Sequence, residues 1–110
     1  MQLNYVIEFV ADMDTAIAFY RDRLGLPLKF ATPHWTEFAT GQTTLALHAA
    51  SPENPAGKLQ LGFGVPDIHQ FYADAMAKGV EFVMPPTQEE FGTRAAFRDS
   101  EGAVCSAARG

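Results

Sequence analysis

The chain carries VADMDTAIAFYRDRLGL at residues 10–26, a stretch that holds the start, the body and the stop of one helix. Asp12 is a good N-cap residue, and the apolar residues after it recur at spacings of four, three and four, namely Met13, Ile17, Tyr20 and Leu24. Gly25 can take the left-handed conformation that ends a helix, and Pro27 prevents continuation. The stretch therefore predicts an amphipathic helix between Asp12 and Gly25, after a strand over residues 2–10.

A second helix with the same surroundings begins after Asp67 and ends at Gly79. Strand-like runs follow each helix, at 28–31, 35–40 and 43–49 in the first half and at 80–84, 93–98 and 103–108 in the second. We predict an α+β fold of two βαβββ modules within a single domain. The modules are residues 1–50 and 59–110, and the Pro- and Gly-containing linker is 51–58. Chance similarity of the two halves is the alternative.

Composition restricts the class of protein. The 110 residues suffice for one domain, and a hydrophobic share of 47% with a charged share of 19% excludes disorder, collagen and a coiled coil. The net charge of −5, with only 8 Lys and Arg residues, argues against nucleic acid as a partner. No run approaches the roughly 20 apolar residues of a membrane span, and no signal peptide is visible at the N-terminus. With the single Cys105, these features predict a cytoplasmic protein.

Hairpin registers predict which side chains share a face. A tight turn at Gly41-Gln42 places Trp35 opposite His48, and a turn at Asp99–Gly102 places Asp99 opposite Ala103. Period-two alternation then divides each hairpin into a face for the helix and a second face. The helix faces carry Thr36, Phe38, Leu45, Leu47, Phe97 and Cys105; the second faces carry Trp35, Glu37, Ala46, His48, Arg94, Arg98 and Ser106. Two such curved sheets, side by side, are expected to enclose a pocket lined by the second faces.

These segments resemble the vicinal oxygen chelate superfamily, which includes glyoxalase I, bleomycin-resistance proteins, fosfomycin-resistance transferases and extradiol dioxygenases. The similarity covers nearly the whole chain and is carried by residues 10–14, 19–26, 35–38, 45–48 and 97–102. It implies that the paired modules form an open barrel-like cleft, usually in a homodimer.

The resemblance also implies where metal-dependent members place their ligands. Carried over one at a time, the four positions are Tyr5, Ala46, Gln60 and Ser106. None is His, Asp, Glu or Cys, alanine cannot coordinate, and the other three are poor ligands for a transition metal. The sequence therefore predicts no metal and no other cofactor.

A set of side chains on the second faces is expected to contact a ligand, namely Tyr5, Ile7, Phe9, Trp35, His48, Gln60, Phe91, Arg94 and Ser106. Trp35 would stack on an aromatic group, or pack in the core or a dimer interface. Gly62 and Gly64 would leave room beside Gln60, or allow tight sheet packing. Arg94 would hold a carboxylate or phosphate. Phe91 would close over the cleft from a loop at 85–92, or that loop is a surface excursion.

Two residues are candidates for acid–base chemistry, His48 and Glu37, and a third, Glu8, is a carboxylate in an unfavourable position. Histidine side chains can give or take a proton near neutral pH, so His48 could be a ligand contact, a catalytic base oriented by Glu37, or a solvated surface residue. Glu37 is itself a second candidate base. Alternation sends Glu8 toward the helix, where a lone carboxylate must find a partner, reach solvent or titrate at raised pKa. A strand bulge that turns Glu8 into the cleft is the alternative.

Three functional hypotheses follow from these residues. The first is a metal-independent protein that binds a small, partly apolar or aromatic organic compound. The second is a lyase or isomerase that acts on a small carbonyl compound, with His48 or Glu37 as the base. The third is an interaction module whose cleft is filled by its own side chains.

Overall fold

The strands and helices follow the chain in the predicted βαβββ order twice. They are β1 (Gln2–Val10), α1 (Met13–Ala18), β2 (Leu28–Ala31), β3 (Trp35–Phe38), β4 (Thr44–Ala49), β5 (Leu59–Val65), α2 (Ile68–Ala77), β6 (Phe82–Glu89), β7 (Gly92–Arg98) and β8 (Val104–Arg109). This computed structural model describes residues 1–110, which divide into two compact units. Unit A holds residues 5–59, and unit B holds residues 1–4 and 60–110. The predicted α+β class is confirmed.

Both helices begin and end as their sequences predict. The Asp12 carboxylate accepts the Thr15 N–H at 3.0 Å, and Asp67 caps α2 in the same way. Gly25 and Gly79 have φ of 73° and 87°, in the left-handed region that glycine tolerates best. Neither helix is long and apolar enough to cross a membrane.

The first helix changes geometry before it ends. Phe19–Arg23 form a π-helical turn, in which the Leu24 N–H donates to the Phe19 carbonyl at 3.2 Å. The sequence pattern predicts a regular helix here, because apolar spacings of three and four do not distinguish α from π winding.

In unit A, antiparallel pairs join β2 to β3 and β3 to β4, and a parallel pair joins β4 to β1. The predicted register is confirmed, with Trp35 opposite His48 and Phe38 opposite Leu45. One face of this sheet packs on α1 through a buried cluster of Val10, Ile17, Phe38 and Leu47. The other face, with Ile7, Phe9 and Ala46 buried at its centre, carries the residues of the candidate site.

In unit B, a parallel pair joins β5 to β8, and antiparallel pairs join β8 to β7 and β7 to β6. Phe97 lies opposite Cys105 on the face covered by α2, as predicted. Its core combines Val65, Ile68, Ala95 and Ala107 with the rings of Phe71, Phe82 and Phe97. The opposite face is lined by small residues, because Gly62 pairs with Ser106 and Ser106 with Ala96.

The expectation of a loop at residues 85–92 is wrong. Strand β6 runs on to Glu89 and β7 begins at Gly92, so only Glu90 and Phe91 form the turn. Pro85 and Pro86 suggested a loop because proline cannot donate a ladder hydrogen bond. Strand β6 tolerates them because it lies at the end of the strand order, and the ladder to β7 is irregular between Met84 and Thr87.

Leu47→Ala should destabilise the protein by about 2–5 kcal/mol, because the Leu47 side chain is fully buried and its removal leaves a cavity. Urea unfolding followed by circular dichroism measures this change in the free energy of unfolding. The matched control is Leu28→Ala, at a leucine that is 37% exposed, with an expected loss below about 1 kcal/mol. Equal losses in the two variants would contradict the assignment of the core.

Candidate functional site

Alternation along three strands of unit A gathers most of its predicted ligand-contact residues on one surface. We call this surface the aromatic face; it consists of Tyr5, Ile7 and Phe9 from β1, Trp35 and Glu37 from β3, and Ala46 and His48 from β4. Ile7 pairs with Ala46 and Glu37 also pairs with Ala46, which fixes the three strands in register. Residues predicted to share this face from sequence alternation therefore do so.

Aromatic rings make the contacts on this face. The Trp35 ring lies 5.9 Å from the Tyr5 ring and 6.0 Å from the His48 ring, both edge to face. The Phe9 ring lies 5.1 Å from the His48 ring at a tilt of 53°. Such edge-to-face arrangements match the positive ring edge to the negative ring face, so they fix ring orientation as well as position.

Glu37 anchors the indole of Trp35. Its carboxylate accepts the Trp35 Nε1–H at 2.8 Å, and the Lys29 ammonium lies 4.0 Å away. Burial, and then the charge of Glu37, raises the pKa of Tyr5, so this phenol is neutral and keeps its O–H donor. Glu37 was expected to orient His48, but in the structure its carboxylate bonds to Trp35 instead.

His48 has its own backbone partner. Its Nδ1 lies 2.7 Å from the Ala49 carbonyl oxygen, which can only accept, so Nδ1 carries the proton. In the neutral ring this leaves the Nε2 lone pair free. His48 is exposed at the end of β4, so this nitrogen can act on a molecule from solvent.

The four positions at which the resemblance implies metal ligands do not fit a metal ion. Ala46 is fully buried and offers no donor atom, while Tyr5, Gln60 and Ser106 offer only neutral oxygens or an amide. Nowhere in the chain do three or more His, Cys, Asp or Glu side chains come together in an arrangement suited to a metal ion.

Three of the predicted contact residues of unit B share a second surface, namely Gln60, Arg94 and Ser106. Strand pairing places Gly62 beside Ser106 and Arg94 beside Ala108, on the face away from α2. Gln60 precedes Gly62 by two residues and alternates to the same side. Arg94 Nε donates to Glu89 Oε1 at 2.8 Å, which lowers the pKa of Glu89 and engages the guanidinium that was expected to hold an anion.

Two further features of unit B bear on the predictions. A Cβ at Gly64 would collide with the amide of Asn4, so this glycine permits close approach of a side chain, in line with the packing alternative. Phe91 is 97% exposed at the turn between β6 and β7. Its role as a lid residue stays a prediction.

Glu8 finds the partner that its position requires. It faces α1, and its Oε1 accepts the Tyr20 O–H at 2.6 Å. This hydrogen bond, with burial and the Glu8 charge as smaller causes, raises the pKa of Tyr20 to about 12.

Sequence reasoning missed two residues of this chemistry. Tyr20 falls on the apolar stripe of the helix and is predicted there only as a packing residue, yet its hydroxyl satisfies Glu8. Lys29 lies on β2 and donates to Thr44 Oγ1 at 3.0 Å beside Glu37. The signal for Tyr20 was available, because a tyrosine on a buried stripe needs a partner for its hydroxyl.

Comparison with known proteins gives one family and several similar chains. The sequence profile of the Glyoxalase/Bleomycin resistance protein/Dioxygenase superfamily matches residues 2–105. The uncharacterized protein YetH of Bacillus subtilis strain 168 is 29% identical over 112 residues, covering 94% of this chain and 93% of its own.

Two solved structures show the same fold. One is described as an NAD-dependent benzaldehyde dehydrogenase from Legionella pneumophila, with a TM-score of 0.81 at 20% identity, over 96% of this chain and 97% of that one. The other is the S115T variant of Streptomyces coelicolor methylmalonyl-CoA epimerase in complex with 2-nitronate-propionyl-CoA, with a TM-score of 0.76 at 15% identity, over 99% and 94%.

Tyr20→Phe should remove the tyrosine that ionises near pH 12, and Glu8→Gln should return the pKa of Tyr20 toward 10.0. Ultraviolet difference titration of the tyrosinates measures both changes. The folded protein holds this proton to about pH 12 while the unfolded chain releases it near 10.0. The stabilisation is therefore complete below pH 10 and lost as the pH rises through 12.

Tyr72→Phe is the matched control, because it removes a phenol from α2 and should leave the late titration in place. A late titration of undiminished amplitude in Tyr20→Phe would refute the assignment.

Proposed function

Because the chain belongs to the Glyoxalase/Bleomycin resistance protein/Dioxygenase superfamily, we propose that it binds a small, partly aromatic organic compound on the aromatic face without a metal ion. The observation that carries the proposal is the fixed indole of Trp35, which stands half-buried between Tyr5 and His48 with its N–H on Glu37. The homodimer and the cytoplasmic location expected from the sequence belong to the same proposal.

The aromatic face has a buried floor and a more accessible rim. Ile7 and Phe9 are 8% and 4% exposed, so they support the surface from below. Tyr5 and Trp35 are half-buried, and His48 is exposed, so these three residues retain solvent-accessible surface that a ligand can contact. Our proposal therefore assigns ligand contact to the rim, and packing to Ile7 and Phe9.

Preorganisation favours binding at this surface. A free tryptophan side chain loses conformational entropy when a ligand immobilises it, at a cost of about 0.5–1.5 kcal/mol. The Glu37 hydrogen bond and the two ring contacts already hold Trp35 in one orientation, so a ligand does not bear that cost. A flat apolar group then gains area from the indole, while the Tyr5 hydroxyl remains available to donate a hydrogen bond.

The relatives support small-molecule binding at the level of the fold. The epimerase structure contains 2-nitronate-propionyl-CoA, so a chain of this fold holds a small organic ligand in that protein. The absence of suitable donors at Tyr5, Ala46, Gln60 and Ser106 supports a binding mode that does not use a metal.

Thermal-shift screening with planar aromatic compounds and glycopeptides should yield a stabilising class, and the hit should change the fluorescence of Trp35, the only tryptophan. Trp35→Leu should weaken binding of that hit at least about tenfold in calorimetric titration, as loss of a central aromatic contact does. Tyr72→Leu is the matched control, since Tyr72 is a half-buried aromatic residue like Trp35 but lies on α2, outside the aromatic face. Absence of any stabilising class, or equal binding by Trp35→Leu, would disprove the proposal.

The position of the proton on the neutral His48 ring favours a second candidate function. With Nδ1–H donated to the Ala49 carbonyl, the free Nε2 is poised to remove a proton from a ligand beside Trp35. The proton next to a carbonyl group is the suitable target, because its loss gives an enolate that solvent can reprotonate. This reaction is the first step of a lyase or isomerase acting on a small carbonyl compound.

Incubation with phenylacetone in D₂O tests the second candidate. The enzyme should exchange the protons next to the carbonyl for deuterium faster than buffer does, as followed by proton NMR. His48→Gln should reduce the exchange at least about a hundredfold, the usual contribution of a general base. His34→Gln, at a histidine of the β2–β3 connection, should exchange at the wild-type rate. Exchange at the buffer rate with wild-type protein would leave binding as the function.

A further inference from the structure

Unit A contains a hollow that the proposed function does not use. It lies on the α1 side of β1 and has a volume of about 480 Å³, within the range of small-molecule sites. Its walls include Glu8 from β1, Ala16, Phe19 and Tyr20 from the first helix, and Gly57 from the linker.

Backbone hydrogen bonds hold the linker in place as one wall of the hollow. Gly57 N–H donates to the Phe9 carbonyl at 2.8 Å, and Phe9 N–H donates to the Lys58 carbonyl at 2.9 Å. The opposite wall is the π-helical turn that begins at Phe19, a geometry that recurs at functional sites. Both walls are therefore built from ordered backbone.

The charged side chains that line the hollow are all negative. Its lining contains the carboxylates of Glu8 and Asp12 and no Lys, Arg or His, and its other side chains are mostly apolar. Asp12 is already the N-cap of α1. Glu8 is half-buried and accepts one hydrogen bond from Tyr20, which is neutral, so no cation in the chain pairs with its charge.

From this charge and shape we infer that the hollow binds a small organic ammonium ion with an apolar or aromatic body. The ammonium group would donate to the Glu8 carboxylate and supply the positive charge that Tyr20 lacks. The apolar body would lie against Ala16 and the ring of Phe19, which is 43% exposed. This site is on the opposite face of β1 from the aromatic face, so it does not depend on the proposed function.

Titration of ¹⁵N-labelled protein with benzylammonium chloride tests the inference. Saturable amide shifts are expected at residues 8–20 and 56–57. Benzyl alcohol, a neutral analogue of similar shape, should bind at least about fivefold more weakly, because a hydrogen bond between charged groups is lost. Glu8→Gln should lower the affinity for benzylammonium at least about tenfold.

Two control variants locate the effect. Glu53→Gln removes the same charge from an exposed linker position and should bind as wild type does. Trp35→Leu should also bind as wild type, which separates failure of this inference from failure of the proposed function.

Three results would overturn the inference: no saturable shift at residues 8–20 up to about 20 mM, equal binding of the alcohol, or unchanged affinity in Glu8→Gln. Shifts confined to the Trp35 indole would assign the ligand to the aromatic face instead. If Glu8→Gln does not fold, the comparison of amine with alcohol on wild-type protein still decides the matter.

Discussion

The period-two alternation of β1, β3 and β4 is the constraint on which unit A depends. Strand β4 lies between an antiparallel and a parallel neighbour, so both of its ladders must agree on which residues face the helix. A slip of one residue would bring His48 into the α1 core and send Leu47 to the aromatic face. Fully buried Phe38 and Leu47 make such a slip costly, and so the same packing that stabilises the core holds the site residues in place.

The same alternation explains how one strand serves two different environments. Residues 5, 7 and 9 of β1 meet the aromatic face, while Glu8 between them meets α1. A carboxylate on a helix-packing face costs free energy unless its charge is solvated or bonded. Tyr20 offsets part of that cost with one strong hydrogen bond, and the hollow beside it gives access to solvent or to a cation. Unit A therefore carries polar side chains on both sides of a single sheet, with Glu8 on the α1 side and Glu37 on the aromatic face.

Local chemistry explains how much of this was predictable from the sequence. The helix ends and hairpin registers followed from Asp12, Asp67 and the glycines, because caps and turns are determined by a few adjacent residues. The extension of β6 through Pro85 was not predictable, because it depends on that strand lying at a sheet edge. The faces of the candidate site could be predicted, but the partners of Glu37 and Glu8 depend on rotamers and neighbours that the pattern does not encode.

The aromatic face also gives a physical reason for the absence of a carboxylate at position 46. Ala46 is fully buried and lies directly opposite Glu37 in the β3–β4 ladder. A second carboxylate there would face a like charge across the strand pair, which destabilises a sheet, and it would be removed from water as well. Glu37 is instead satisfied by the Trp35 indole, with Lys29 nearby. A carboxylate metal ligand at position 46 would thus lie directly opposite Glu37, and the two like charges would repel each other. This chain has only Glu37, whose carboxylate anchors the Trp35 indole.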